Sequence, residues 1–269
     1  MKLKLTLTIA LLFLVFVNLG YPQVLVTRNI MDYNFLGGGA RARAMGGAFF
    51  AVSDDPSAAS WNPAGLVQMD KYQMGATLNF LNPKMEYTTL TADSTLPNSL
   101  KQNKALISFG SVVIPFKIYE KELVGSVLYN RVSDIYDKRV YNFLKEAEYS
   151  IDPRIDSISH KQEEIKGGLD VLVLSLGAKA YKDLSFGLGI NVYTGSYEYN
   201  AEQEIDFSPN PSFDTLIRYH PYIKGSYSGV NFTLGTMYKY QDLRVGAVIK
   251  TPFKLKEKVD FRYLKDVII

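Results

Sequence analysis

Between Leu184 and Val192, apolar residues alternate without exception with small or polar ones, and this alternation constrains the fold more than any other feature of the chain. The even positions carry Leu, Phe, Leu, Ile and Val, whereas the odd positions carry Ser, Gly, Gly and Asn. Because successive side chains of a β-strand point to opposite faces, the segment predicts a strand with one fully apolar face. The same pattern recurs clearly at 72–80, 230–235 and 243–250, and more weakly at 105–116, 123–131 and 170–181, which makes seven predicted strands, or eight if 259–264 is another.

The links between these strands alternate in length. Short links occupy residues 117–122, 182–183 and 241–242, and long polar links occupy 81–104, 132–169 and 200–225. This layout is typical of an up-and-down antiparallel barrel of the bacterial outer membrane, which has tight periplasmic turns and extended outer loops. A soluble β-sandwich also alternates along its strands, but nothing requires its links to alternate. We therefore expect an all-β protein whose residues 71–269 form a transmembrane β-barrel, with the first strand starting on the periplasmic side.

Tyrosines near the predicted strand ends support the same interpretation. Tyr193, Tyr197 and Tyr199 lie where one strand is expected to leave the membrane, and Tyr219 and Tyr227 lie where the next is expected to enter it. Tyrosine favours the headgroup zone, because its ring is apolar and its hydroxyl remains hydrated. These residues are therefore predicted to form an interfacial girdle.

The first 22 residues have the layout of a secretory signal peptide. Lys2 and Lys4 precede an apolar run from Leu5 to Val17, as in signal peptides. A membrane-anchor helix is the alternative, but the run is shorter than the ~20 residues that a spanning helix needs. The chain has no cysteine and a net charge of +3, so disulfides and thiolate sites are excluded and nothing suggests a nucleic-acid partner.

Residues 23–70, which include the Gly- and Ala-rich stretch Gly37–Leu66, separate the signal peptide from the first strand. They do not form a phosphate-binding loop, because the G-x-G-x-x-G pattern fails at Ala42 and no Gly-Lys-Ser/Thr follows. Small residues let a segment fold compactly in a narrow space, so we expect a hatch that plugs the periplasmic mouth. Residues 54–59 predict a turn with an Asx-type start of a short helix, and Asn62-Pro63 predicts a second turn.

Three stretches resemble a known family. ARAMGGAFFAVSDDPSAASWNPAGL (42–66) resembles the N-terminal signature of the FadL/TodX family of outer-membrane transport proteins, and LSFGLGINVYTGSYEYN (184–200) and LRVGAVIKTPFKLK (243–256) resemble its strands. The resemblance implies a barrel of fourteen strands closed by an N-terminal hatch, and inward transport of long-chain fatty acids or other hydrophobic compounds such as aromatic hydrocarbons. It places in the hatch the residues Gly46, Gly47, Asp54, Asp55, Asn62, Pro63 and Ala64.

The strand count departs from that family. Seven or eight strands are visible, and the chain ends at Ile269 without a terminal aromatic residue. We expect a chain that lacks a C-terminal half, because an open half-barrel would leave two edges unpaired in lipid at several kcal/mol for each backbone group. A complete eight-stranded barrel is the alternative, although its narrow lumen would be filled by side chains.

The expected function is uptake of hydrophobic compounds across the outer membrane. In this hypothesis the long links at 132–169 and 200–225 collect the ligand, an apolar lumenal pocket holds it, and movement of the hatch or a gap between strands releases it. Arg41, Arg43 or Lys250 could contact a ligand carboxylate. The alternative is a non-transporting accessory protein of the same fold that serves protein secretion or surface attachment.

No catalytic or metal site is predicted, and no cofactor is expected. His160 and His220 both fall in long links without an obvious serine nucleophile and aspartate partner. Asp54-Asp55 and Glu163-Glu164 are adjacent pairs whose side chains tend to point apart, which favours a turn and a solvated link over paired carboxylates.

Overall fold

A computed structural model of the protein describes residues 37–81, 84–90, 95–101, 104–146, 156–210 and 213–268. The predicted signal peptide and the first residues of the predicted hatch lie outside these ranges. Antiparallel strands dominate the described residues: β1 (Gln73–Leu81), β2 (Lys84–Leu90), β3 (Thr95–Lys101), β4 (Lys104–Ile118), β5 (Lys121–Glu146), β6 (Asp156–Tyr181), β7 (Leu184–Asn210), β8 (Phe213–Tyr240), β9 (Leu243–Lys250) and β10 (Lys256–Ile268).

Eight of these strands form one sheet, which curls into an open half-barrel. Its order is β1-β4-β5-β6-β7-β8, with β9 and β10 both beside β8, whereas β2 and β3 pair only with each other. Apart from β2 and β3, and with β9 and β10 taken as one edge column, neighbours in the sheet are neighbours in sequence, as in an up-and-down arrangement. The structure thus confirms the all-β prediction, including a strand over residues 259–264.

The short links are tight turns, as predicted. β4 turns into β5 at Tyr119 and Glu120, whose φ angles of 45° and 63° are both positive, as in the two-residue turns that match the twist of a hairpin. The other two tight turns are at 182–183 and 241–242. All three lie at the same end of the sheet, which we call the turn end.

The long links differ from the prediction, because most of residues 132–169 and 200–225 are strand. The hairpins β5–β6 and β7–β8 continue as paired antiparallel ladders through these residues. Both faces of the sheet carry polar residues here, so apolar residues do not recur at every second position of the sequence. Backbone pairing and cross-strand ion pairs nevertheless favour a strand. One example is Arg218 Nε, which lies 2.7 Å from Glu204 Oε1. His160 and His220 accordingly lie in β6 and β8 rather than in loops.

β9 and β10 are two parts of one edge column, separated by a break. β9 pairs with residues 233–240 of β8, and β10 pairs with residues 216–228. Five residues, 251–255, therefore lie opposite four residues of β8, and Pro252 cannot donate a ladder hydrogen bond. Thr251 closes one end of the break, since its backbone N–H donates to Phe232 O at 2.9 Å and its Oγ1 accepts from Phe232 N at 3.0 Å.

The two faces of the sheet differ in an unusual way. On the face opposite to residues 37–69, which we call the outer face, a row of exposed apolar residues crosses six strands in direct register: Met74, Val112, Val127, Leu174, Ile190 and Phe232. The neighbouring inner row contains small or polar residues, among them Ser126, Ser175, Gly189 and Thr233. The alternation predicted from sequence is therefore present, with its apolar side exposed.

Within the described residues, three short helical segments precede β1: α1 (Ala40–Ala44), α2 (Ala58–Trp61) and a 3₁₀ helix (Pro63–Gln68). None of the helices in the described part of the chain is long and apolar enough to cross a membrane. Residues 37–69, which we call the N-terminal segment, lie against the inner face of the sheet through the contacts described below.

Candidate functional site

The N-terminal segment has a small core of its own around Trp61, the one tryptophan of the chain. The Trp61 ring makes edge contacts with Phe49 and Phe50, with ring centroids 6.1 and 5.5 Å apart. Its indole N–H donates to Gly38 O at 2.7 Å. Aromatic edge contacts and a satisfied indole N–H favour one fixed arrangement, so the small-residue stretch is an ordered unit.

Gly46 and Gly47 end α1. Gly46 has φ +64°, its N–H donates to Arg43 O, and the Gly47 N–H donates to Ala42 O, each at 3.0 Å. This is the Schellman pattern, in which a residue in the left-handed region follows the helix and satisfies its last carbonyls. The two glycines therefore have a structural role that requires positive φ.

Asp54 and Asp55 have different roles, since Asp55 holds a turn and Asp54 forms ion pairs. Asp55 Oδ1 accepts from Ser57 N at 2.8 Å, which confirms the predicted Asx-type start of α2. Asp54 is hydrogen-bonded to Arg41 and lies 3.8 Å from Arg244 of β9. The hydrogen bond that Arg41 donates to Asp54 raises the pKa of Arg41, so the Arg41 guanidinium already has an anionic partner. The side chains of Arg41 and Arg43 are both exposed.

Asn62-Pro63-Ala64 is the point at which the segment is attached to the sheet. Asn62 is fully buried; its Nδ2 donates to Phe50 O at 2.8 Å and to Thr236 O of β8 at 3.1 Å. Its Oδ1 accepts from Ala64 N at 3.1 Å and caps the 3₁₀ helix, with Pro63 at the first helical position, a favourable site for proline. The side-chain amide of Asn62 therefore makes hydrogen bonds both within the segment and to the inner face of the sheet, which we call the wall.

A row of glycines in the sheet makes room for this attachment. Gly177, Gly187 and Gly235 are direct cross-strand partners on β6, β7 and β8, and we call them the glycine row. A Cβ at Gly187 would lie 2.2 Å from Ala64 N, and one at Gly235 would lie 2.2 Å from Asn62 Oδ1. Because glycine has no Cβ, the backbone of the segment can lie directly on the wall.

Apolar packing adds to these contacts on the other side of the segment. Ala58, Ala59, Leu66 and Met69 form one buried cluster with inner-face residues of β4, β5 and β6. The sheet members of this cluster include Val113, Leu128, Val132, Leu169 and Val173. Burial of such side chains contributes stability in proportion to the apolar area removed from water. The segment is therefore attached to the sheet in two ways, by apolar packing on β4–β6 and by close backbone contact at the glycine row.

Farther from the turn end, the inner face carries an aromatic cluster formed by Tyr193, Tyr197, Tyr227, Phe253 and Leu255. The rings of Tyr193 and Phe253 stack with centroids 4.6 Å apart, and those of Tyr197 and Tyr227 stack at 5.6 Å. Tyr193 is only 5% exposed. The prediction of an interfacial girdle is therefore wrong for Tyr193, Tyr197 and Tyr227, because these positions of β7 and β8 lie on the inner face.

Lys250 lies between the aromatic cluster and the glycine row. It pairs with Thr233 in the inner row next to the glycine row, about 7 Å along the strands. One row farther, Asn191 Nδ2 donates to Asn231 Oδ1 at 2.7 Å and to Thr233 Oγ1 at 2.8 Å. The inner face thus offers, in order from the segment, a cation, a polar network and stacked aromatic rings.

The structure brings some of the predicted site residues together and separates others. The predicted hatch residues all belong to the N-terminal segment, and Arg41 and Arg43 lie in α1, whereas Lys250 lies on the wall. Sequence reasoning missed the glycine row and Phe253. The cross-strand pairing of the glycines depends on the register of the strands, and the inward position of Phe253 depends on the break after β9. Neither can be predicted from the spacing of residues along the sequence. No protein-family model, no curated protein and no solved structure matches this chain.

Proposed function

We propose that the sheet is part of the wall of an outer-membrane channel that takes up hydrophobic compounds, and that the N-terminal segment is its hatch. The observation that carries the proposal is the exposure of the outer face: a row of apolar side chains crosses six strands there and is covered by no other part of the described chain, whereas the apolar residues of the inner face are covered by the N-terminal segment. Apolar patches of this extent on a protein surface mark an interaction with lipid or with a partner. A lipid bilayer covers such a band over its whole width.

The height of the band supports a membrane. On β7 five outward apolar residues occupy alternate positions from Leu184 to Val192, a stretch of nine residues. A tilted transmembrane strand needs ~9–11 residues. At its far edge the outer side becomes polar: Tyr129 Oη donates to Asp170 Oδ1 at 2.7 Å, and Arg131 Nε lies 2.7 Å from the same oxygen. Beyond this edge the strands would project from the bilayer.

The inner face supports a ligand that is apolar with one anionic end. Stacked rings such as Tyr193 and Phe253 accept acyl chains or aromatic rings, and Lys250 is a cation within reach of the same interior. Each buried methylene contributes about 0.8 kcal/mol, so complete burial of a sixteen-carbon tail would contribute on the order of 12 kcal/mol and prevent release. The proposal therefore places only part of the tail in the site, with release by a shift of the hatch or through the break at residues 251–255.

The alternative of an accessory protein for secretion or surface attachment requires a docking surface on the projecting hairpins. In the described part of these hairpins the surface is polar, with Glu198 Oε1 3.3 Å from Lys224 Nζ and Glu198 Oε2 3.7 Å from Lys166 Nζ. This surface does not favour a large apolar partner, so transport is the function that we propose.

Single cysteines test the membrane position of the sheet, because the natural chain has none. Ile190 and Ser196 both lie on the outer face of β7, inside and beyond the apolar band. In lipid vesicles we expect a membrane-impermeant maleimide to label Ser196→Cys at least ~10-fold faster than Ile190→Cys, because the hydrocarbon excludes the charged reagent. In denaturant the two rates should be equal. Equal labelling of both cysteines in vesicles would contradict the proposal.

A further inference from the structure

A cavity lies at the turn end of the inner face, away from the aromatic cluster. It has a volume of about 460 Å³ and lies between the link at residues 67–72 and the ends of β4, β5 and β6. Pockets that bind small molecules commonly have volumes of ~300–1,000 Å³. The cavity is therefore large enough for part of an acyl chain.

The floor of this cavity is apolar. Val67 and Met69 line one side of the floor. Pro115 and Val124, which are partners across β4 and β5, line the other side. Met69 and Val124 are buried. A floor of this kind favours a hydrocarbon over a polar group.

The rim of the cavity is basic. Lys117 of β4 pairs with Glu122 of β5, with Nζ 3.0 Å from Oε1. Lys71, Lys179 and Asp70 also line the rim. Because the charges of Lys117 and Glu122 cancel, two positive charges face one negative charge. In the described part of the chain neither Lys71 nor Lys179 has an ion pair. The rim therefore carries an excess positive charge above an apolar floor.

The cavity and Lys250 lie on opposite sides of the glycine row. Lys179 is two residues from Gly177 toward the turn end, whereas Lys250 lies in the row on the far side, opposite Thr233. From these positions we infer that the cavity is a second binding site for a single-chain amphiphile with an anionic headgroup, on the exit side of the hatch. The direction of passage rests on the proposed function; the binding of the amphiphile rests on the cavity itself.

The cavity also shares a wall with the hatch. Val67 belongs to the 3₁₀ helix, and its neighbour Gln68 donates through Nε2 to Val52 O at 2.7 Å and to Ser53 O at 3.1 Å. An acyl chain between Val67 and the β4–β5 wall therefore contacts the same helix that Asn62 attaches to the glycine row. Occupancy of this site is coupled to the position of the hatch.

Photo-crosslinking of the full-length protein tests the site. The probe is palmitic acid with a diazirine at the end of its chain, and mass spectrometry locates the crosslinks. We expect two crosslinked regions, one near Tyr193 and Phe253 and one within residues 67–72 or 115–124. Lys71→Gln with Lys179→Gln should reduce crosslinking of the second region about fivefold and leave the first unchanged. The matched control is Lys121→Gln with Lys182→Gln, which removes two exposed lysines at the same end that do not line the cavity.

Headgroup analogues complete the test. The corresponding alcohol should crosslink the second region only at background level. Labelling by the acid alone would identify the ligand of the second site as a free fatty acid. Labelling by both the acid and a lysophosphatidic acid analogue would show that the site accepts anionic headgroups in general. Both results support the site. Equal labelling by acid and alcohol, or labelling that the double variant leaves unchanged, would overturn it. If the region near Tyr193 and Phe253 is not labelled but the second region responds as expected, the proposed transport fails and the second site stands.

Discussion

At the scale of single residues, Asn62 and Lys250 have the most defined positions in the candidate site. Asn62 uses both ends of its amide, one to cap the 3₁₀ helix and one to bind the wall at Thr236 O. Lys250 is on the wall next to the glycine row, facing the interior that also contains the aromatic cluster. The first residue attaches the N-terminal segment to the sheet, and the second is a lysine in the inner row between the glycine row and the aromatic cluster.

Removing the charge of Lys250 should separate carboxylate recognition from binding of the tail. Lys250→Met keeps a long flexible side chain and removes the ammonium group. We expect the Kd for a long-chain fatty acid to rise about tenfold, which corresponds to the loss of one charge-assisted contact, and the Kd for the alcohol of equal length to stay constant. Binding in detergent solution measures both values. Lys258→Met, at an exposed position of β10, is the control, and equal losses for acid and alcohol would contradict a carboxylate contact at Lys250.

At the scale of elements, the glycine row explains how an irregular segment can lie on a sheet. Gly177, Gly187 and Gly235 are aligned across three strands, so the wall has no side chains where the Asn62-Pro63-Ala64 backbone lies. The row depends on register, because a shift by one residue would move every side chain to the other face. The tight turns hold that register.

A larger side chain in the glycine row should release the N-terminal segment without disrupting the sheet. In Gly187→Val the new Cβ would meet Pro63 and Ala64 at 2.2 Å, and overpacking of this kind costs about 1–3 kcal/mol. We expect trypsin to cleave after the exposed Arg41 or Arg43 at least ~10-fold faster in this variant.

Gly110→Val is the matched control, because nothing lies within 4 Å of a Cβ at that position and valine favours strands. Cleavage of the Gly187→Val variant at the rate of the natural protein would show that the segment does not depend on the glycine row.

At the scale of the whole molecule, the sheet is a half-barrel with two open edges. In the described residues β1 pairs only with β4, and β9 and β10 pair only with β8. Unpaired backbone groups cost several kcal/mol each in hydrocarbon, so the inserted state that we propose requires both edges to be paired. The strands also reach far beyond the apolar band: β7 continues from Val192 to Asn210, about 60 Å along the strand.

Uptake into liposomes tests the hatch in the full-length protein. Deletion of residues 37–66 should change the rate of uptake of a fluorescent hydrophobic probe severalfold, because the deletion removes the contacts that cover the inner face. Asn62→Ala is a milder variant that removes the hydrogen bonds to the wall and keeps the segment, and we expect a smaller change in the same direction. Liposomes without protein give the background, and uptake that neither variant alters would exclude the segment as the gate.

Much of this architecture could be predicted from the sequence, because it depends on local rules. The alternation from Leu184 to Val192, the tight turns at 182–183 and 241–242, and the Asx turn at Asp55 follow from the two-residue period of strands and from turn chemistry. Residues 132–169 and 200–225 were predicted as loops because strands that are polar on both faces have no apolar period. Their pairing is visible only when the two halves of each hairpin are brought together.

The sequence by itself determined where the strands with one apolar side lie and where most of them turn. Only the tertiary structure decided that the apolar side is exposed, that three glycines align to receive Asn62-Pro63-Ala64, and that Tyr193 and Phe253 stack inside. The physical reason is that strand formation depends on neighbours along the chain, whereas exposure, register and stacking depend on contacts between residues far apart in sequence.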